Sequence, residues 1–241
     1  MADILILHGW GSSSKNWSSV KKFLEEGGLK VYNPDLPGFG SNPAPKKPWS
    51  VDDYVKWVES FCKKNGLSKF FLLGHSFGGG ISVRFASLHP EKVARLILVD
   101  PAIVRVRTPK YYLAVAAAKA GNMVLSVPLL SRLKPLLRIA MYKLIGSRDY
   151  RKLDLESTAN SMRETFKKVV SEDLSKYLPA VEAKTLVIWG ENDDITPIRQ
   201  GYFINARLPN SRMEIIKEAR HGINLEFPDV LSEKVLNFLK S

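Results

Sequence analysis

Short apolar runs alternate along the 241 residues with longer stretches whose apolar positions recur every three or four residues. The runs cover residues 4–7, 30–33, 70–73, 96–99, 186–189 and 213–216. Each ends at a Gly, Pro, Asp or other polar residue. Their near-continuous apolarity predicts strands buried on both faces, as parallel strands are. Residues 17–26, 51–65, 79–88, 198–208 and 229–239 predict helices. In the last of these, Val230, Leu231, Val235, Leu236, Phe238 and Leu239 fall at helical spacing. Strand and helix in alternation predict an α/β fold, a mostly parallel sheet of about six strands flanked by helices.

The alternation breaks after Val99, and about 80 residues pass before the next strand at Leu186. That stretch reads as helical. Pro135 is placed to open a helix with Leu136, Leu137, Ala140, Met141 and Leu144 on one face. The expected organisation is a core of residues 1–100 and 184–241, with 101–183 inserted as a helical cap. Charge adds to this picture. The chain carries +12, and residues 101–152 hold eleven basic residues against the single acid Asp149, so +10 of it belongs to the cap.

Other features exclude rather than assign. Met1-Ala2-Asp3 leads straight into the first strand, without a basic region or a cleavage site, and no apolar run approaches the roughly 20 residues of a membrane span. Cytoplasm is the expected location, with no transmembrane segment. The lone Cys62 has no partner for an internal disulfide. One cysteine and four scattered histidines form no metal-ligand set in the sequence, so neither metal nor cofactor is expected. The basic residues sit among apolar helical positions without a reading motif, which argues against nucleic acid.

The chemistry starts at Gly74-His75-Ser76-Phe77-Gly78, between the strand at 70–73 and the helix from Ile81. Gly-x-Ser-x-Gly in that setting places the serine on a sharp turn, with its hydroxyl exposed beside a helix N-terminus that favours developing negative charge. A serine hydroxyl is a weak nucleophile and needs a base oriented by an acid. Two later strand ends supply candidates: Gly190-Glu191-Asn192-Asp193-Asp194, and His221 before Gly222. The order Ser…Asp…His is the one this strand–turn–helix arrangement uses. His8-Gly9-Trp10-Gly11 follows the first strand, so the backbone N–H groups of Trp10 and Phe77 are candidates for an oxyanion hole. His8, His75 and His89 are poorer bases by position: at a strand end, beside the serine but expected to point away, and before Pro90.

Together these motifs resemble the α/β-hydrolase superfamily, in its lid-bearing esterase, haloperoxidase and C–C hydrolase branch. The resemblance runs through His8-Gly-Trp-Gly11, Asp35-Leu-Pro-Gly-Phe-Gly40, the serine turn, Gly190-Glu-Asn-Asp193 with Pro197, and His221-Gly222. It implies Ser76, Asp193 and His221 as the catalytic residues, Asp193 being preferred to Asp194 by its spacing from Gly190. Asp35 is implied to be structural. Asp100 is an outside candidate for the acid, because some relatives take it from the strand before the cap. The strand pair that usually precedes the His-Gly strand has no counterpart, which implies six strands.

The resemblance also narrows the reaction. Haloalkane dehalogenases and epoxide hydrolases need Asp where Ser76 stands, and proline iminopeptidases usually carry Trp where Phe77 stands. C–C bond hydrolases often have Asn in place of His75, which weakens that alternative without removing it. The expected activity is carboxylic-ester hydrolysis through an acyl-enzyme. The expected substrate is a small ester whose apolar acyl group meets the cap residues Val115, Met123, Leu125, Leu129, Leu130 and Leu133. A methyl esterase acting on a substrate linked to acyl carrier protein is a second alternative. In that case the basic cap would attract an acidic carrier or an anionic surface. A non-catalytic ligand-binding protein of the same fold is a third.

Overall fold

A computed structural model describes residues 1–104 and 160–241. The predicted helix at Pro135, the apolar cap residues 115–133 and the whole run of basic residues from Arg105 to Lys152 lie outside the described residues.

Six strands form one all-parallel sheet: β1 (Ala2–Leu7), β2 (Leu29–Tyr32), β3 (Phe70–His75), β4 (Val93–Val99), β5 (Thr185–Gly190) and β6 (Ser211–Ile216), in the order β2-β1-β3-β4-β5-β6. All six runs marked by apolarity are strands, and β1 and β4 begin two or three residues earlier than the apolar pattern alone indicates. Among the described residues the α-helices are α1 (Ser18–Glu26), α2 (Val51–Lys64), α3 (Phe77–Leu88), α4 (Asn160–Ser171), α5 (Arg199–Asn205), α6 (Ile223–Glu226) and α7 (Pro228–Lys240).

Alternate residues of each strand feed two separate cores. Leu5, Leu7, Leu72, Leu96, Leu98, Val187 and Trp189 face one side, with Tyr54, Val55 and Val58 of α2, Ile81 and Phe85 of α3, and Ile204 of α5. Ile4, Ile6, Leu73, Ile97, Leu186 and Ile188 face the other, with Val20 and Leu24 of α1 and Leu231, Val235 and Phe238 of α7. The central strands are therefore apolar on both sides, which is why their sequence shows no polar alternation. Ser50 starts α2 with a reciprocal capping box to Asp53, which fixes where the long loop after β2 ends.

The register brings the ends of β3, β4 and β5 to one level. His75 pairs with Val99, and Val99 with Ile188. Just beyond these pairs the Ser76 N–H donates to the Val99 carbonyl, and the Asp100 N–H to that of Ile188, both at 3.0 Å. The loops that leave this edge of the sheet carry Ser76, Asp100, Asp193, Thr196 and His221, as expected for an open parallel sheet. The long insertion leaves the same edge, between β4 and β5.

Candidate active site

Ser76 stands between β3 and α3 with φ 50° and ψ −115°, a backbone conformation that side chains other than glycine rarely adopt. It is held there from both ends. Its N–H is tied to β4, and its carbonyl accepts from Ala102 N–H at 2.9 Å and Gly80 N–H at 3.2 Å. The glycines around it permit close approach. A Cβ on Gly78 would collide with the Leu7 carbonyl of β1, and one on Gly74 with the Ser82 hydroxyl. Gly78→Ala is therefore expected to cost about 3 kcal/mol, the upper part of the usual range for overpacking. A shift in the urea unfolding midpoint at unchanged slope measures it.

Asp193 and His221 come together across the ends of β5 and β6. His221 Nδ1 lies 2.7 Å from Asp193 Oδ2. Asp193 Oδ2 also accepts from the Thr196 hydroxyl at 2.6 Å, and Oδ1 accepts from the N–H groups of Ile195 and Thr196. Burial alone would raise the Asp193 carboxyl, but His221 and Thr196 outweigh it and hold it below the ordinary range. Asp193 is buried, whereas Asp194 is exposed. Because the oxygen facing it is a carboxylate, His221 Nδ1 carries the proton and Nε2 is left as the acceptor.

Trp10 leaves β1 beside this group. Its ring packs against Phe39, Phe77 and Phe166 at centroid distances of 4.8, 5.3 and 5.0 Å, which fixes the backbone of the His8–Gly11 turn against the start of α3. Among the described residues neither the Trp10 N–H nor the Phe77 N–H has a protein acceptor. Gly9 lies close against His75 and Ser76. A Cβ there would be 3.0 Å from His75 Nδ1 and 3.2 Å from Ser76 Cβ.

The remaining histidines divide clearly. His8 is buried, accepts the Leu36 N–H at Nε2 (2.9 Å) and donates from Nδ1 to the Gly9 carbonyl (2.8 Å). Burial lowers its pKa, so it is a neutral strut. His89 lies 2.6 Å from Glu59, away from the serine turn. His75 differs from the expectation that it turns away. Its ring lies 4.9 Å from that of His221, and its Nε2–H donates to the His221 carbonyl at 2.9 Å. Asp35 holds the loop after β2, accepting from Ser14 N–H and from Ser41 N–H and hydroxyl.

Asp100, the alternative acid, makes no hydrogen bond to His221 among the described residues. One of its oxygens accepts the Gly190 N–H at 2.9 Å. The fold nevertheless gathers side chains far apart in sequence, since one polar atom each of His75, Asp100 and His221 lies within 4.8 Å of the others. His221 is already engaged by Asp193 and Thr196 through Nδ1, and His75 by a carbonyl through Nε2. Among the described residues no helix is long and apolar enough to cross a membrane.

Comparison with known proteins agrees with this fold. A family model described as the α/β hydrolase fold matches residues 4–118. A 2-hydroxy-6-oxononadienedioate/2-hydroxy-6-oxononatrienedioate hydrolase of Klebsiella pneumoniae is 27% identical over 254 aligned residues, covering 98% of this chain and 86% of that protein. Among solved structures, an esterase from Exiguobacterium antarcticum superposes with a TM-score of 0.76 at 22% identity, over 100% of this chain and 92% of the other. A meta-cleavage product hydrolase from Pseudomonas fluorescens IP01 gives 0.72 at 19% identity, over 100% and 91%. The sheet order, the turn at Ser76 and these likenesses give the chain the α/β-hydrolase fold.

Proposed function

We propose that the chain is a serine hydrolase of carboxylic esters. The observation that carries this reading is the 2.7 Å pairing of His221 with the buried Asp193 at the sheet edge where Ser76 turns into α3. In this reading His221 Nε2 takes the Ser76 proton as the hydroxyl oxygen attacks the ester carbonyl, and Asp193 holds the imidazole and stabilises its cation. The oxyanion that forms is held by the N–H groups of Trp10 and Phe77. His221 then returns the proton to the departing alcohol. Water activated by the same imidazole releases the acid and frees Ser76.

A second reading has specific support, because the Klebsiella relative is named for a dienedioate substrate whose hydrolysis breaks a C–C bond. The same serine, base and oxyanion donors serve either bond, so the distinction rests on substrate. The test is a panel of nitrophenyl esters of rising chain length run beside 2-hydroxy-6-oxononadienedioate, with fluorophosphonate labelling. Ester turnover with Ser76 labelled supports the first reading. Faster cleavage of the dienedioate would replace it with the second, and a folded protein that turns over neither and takes no label would favour a binding role.

The +10 of residues 101–152 adds a partner to the proposal: an acidic carrier or an anionic surface that brings the ester to the site. Steering of that kind is screened by salt, with a Debye length of about 8 Å at physiological ionic strength. Turnover of a carrier-linked ester should therefore fall at least tenfold between about 20 and 300 mM salt, while that of a neutral nitrophenyl ester stays within about twofold. Equal responses would remove the partner and leave the esterase.

A further inference from the structure

Two buried polar atoms next to this site have no hydrogen-bond partner among the described residues: Nδ1 of His75 and Oδ2 of Asp100. Such atoms are costly unless something satisfies them. Their chemistry is complementary. His75 must carry its proton on Nε2, because that nitrogen faces the His221 carbonyl, so its Nδ1 is a bare acceptor. Asp100 Oδ1 accepts the Gly190 N–H and Oδ2 has no donor facing it, an arrangement that suits a protonated carboxyl with its hydrogen on Oδ2. The two side chains leave neighbouring parallel strands one residue apart in level, since His75 pairs with Val99, and both belong to the group gathered within 4.8 Å. A single water making two hydrogen bonds of about 2.8 Å spans roughly 5 Å.

We infer that Asp100 is a positioning residue that works as a neutral carboxylic acid, donating from Oδ2 to His75 Nδ1 directly or through one water. The chain of contacts then runs from Asp100 to His75 and on to the His221 backbone. It clamps the loop that carries the base at a fixed height over the serine turn. It also keeps a second negative charge away from Asp193, which stays the sole carboxylate beside His221. Asp100 is fully buried, and its φ of 43° is strained for a side-chain-bearing residue.

Asp193 of the loop after β5, through its charge and a side-chain hydrogen bond, and Glu226 of α6 favour the proton on Asp100, and the Gly190 N–H opposes it. His75 from the end of β3 and His221 from the loop after β6 also lie beside the carboxyl, and the Thr196 hydroxyl meets the Asp100 backbone carbonyl. His8 faces His75 from the end of β1. Burial, then the charge of Asp193, pushes the Asp100 carboxyl up to about 9, and burial holds His75 neutral with a pKa of about 3. A folded-state value raised from the ordinary 3.8 gives stability that is fully present below that value. It declines across neutral pH and is gone once about pH 9 is passed.

Infrared difference spectroscopy of the intact protein tests this without relying on the activity. The carbonyl band of a protonated, buried carboxylic acid should be present at pH 7, disappear as pH rises through about 9, and be missing from Asp100→Asn. Its absence from the unmodified protein at pH 7 would overturn the inference even if Asp100→Asn failed to fold. The kinetic arm rests on the esterase reading. Asp100→Ala should lose ten- to a hundredfold in kcat with KM kept within about threefold. Asp100→Asn should recover most of that loss and remove the decline of the unmodified enzyme above pH 9. If Asp100→Asn is folded and as impaired as the alanine variant, Asp100 acts as a charge and the inference is wrong. If no variant and no unmodified protein cleaves esters while the band behaves as described, the esterase reading fails and the neutral Asp100 stands.

Discussion

Ser76→Ala is expected to lower kcat/KM for nitrophenyl esters by about 10⁴- to 10⁶-fold while leaving KM nearly unchanged. That corresponds to about 5–8 kcal/mol of transition-state stabilisation. The size follows from what is removed. On the proposed mechanism no acyl-enzyme forms without the hydroxyl, and His221 and Asp193 have no proton to move at that step, so their contribution disappears with it. The N–H groups of Trp10 and Phe77 remain and can still polarise a bound ester, which leaves a residue of activity above the uncatalysed rate. The variant should fold, because the strained φ of 50° is held by backbone bonds to Val99, Gly80 and Ala102 rather than by the hydroxyl. Thermal unfolding within a few degrees of the unmodified protein, together with loss of fluorophosphonate labelling, separates chemistry from stability. Retention of a tenth or more of the ester activity in folded Ser76→Ala would show that another group carries the reaction.

What could be read before the structure divides along a physical line. The strands were legible because burial on both faces leaves almost no polar residue between Ile4 and Leu7 or between Leu96 and Val99. The turn at Ser76 was legible because its geometry demands glycines on both sides, and Gly78 turns out to lie against the Leu7 carbonyl. Which residue lines which core was not legible, since which of Leu72 and Leu73 faces α2 and which faces α1 depends on a register that no local pattern states. The parts of the site that escaped notice are lateral ones. His75 and Asp100 meet because β3 and β4 are neighbours in register, though 25 positions separate them in the chain. The short α6, which follows the His221 loop and buries Ile223, was likewise too brief to show a helical period. Thr196, which donates to Asp193 from three residues downstream, could have been suspected from its place in the loop between Asp193 and Pro197.

Asp193→Asn sets a second test, and its contrast with Asp100 is the instructive part. Both changes replace a carboxyl by its neutral isostere, within a few ångströms of the same imidazole. At position 100 the replacement preserves a donor that is already needed. At position 193 it removes the acceptor that fixes the His221 tautomer. An amide N–H facing Nδ1 moves the ring proton to Nε2, so the imidazole points a donor at the serine and can no longer act as its base. The expected loss is about 10⁴-fold in kcat, with KM within a few-fold, and a parallel loss in His221→Ala. Asp194→Asn, at an exposed position, should stay within about twofold. Stability carries a separate signature. A carboxyl held below its ordinary value contributes stability that is present above the ordinary aspartate range and is lost as pH falls through the lowered value. The unmodified protein should therefore lose melting temperature relative to Asp193→Asn on acidification below about pH 4, opposite in direction to the alkaline decline assigned to Asp100. Full ester activity in folded Asp193→Asn would move the acid elsewhere, and Asp100, the other buried carboxyl at this sheet edge, would then be the first position to test.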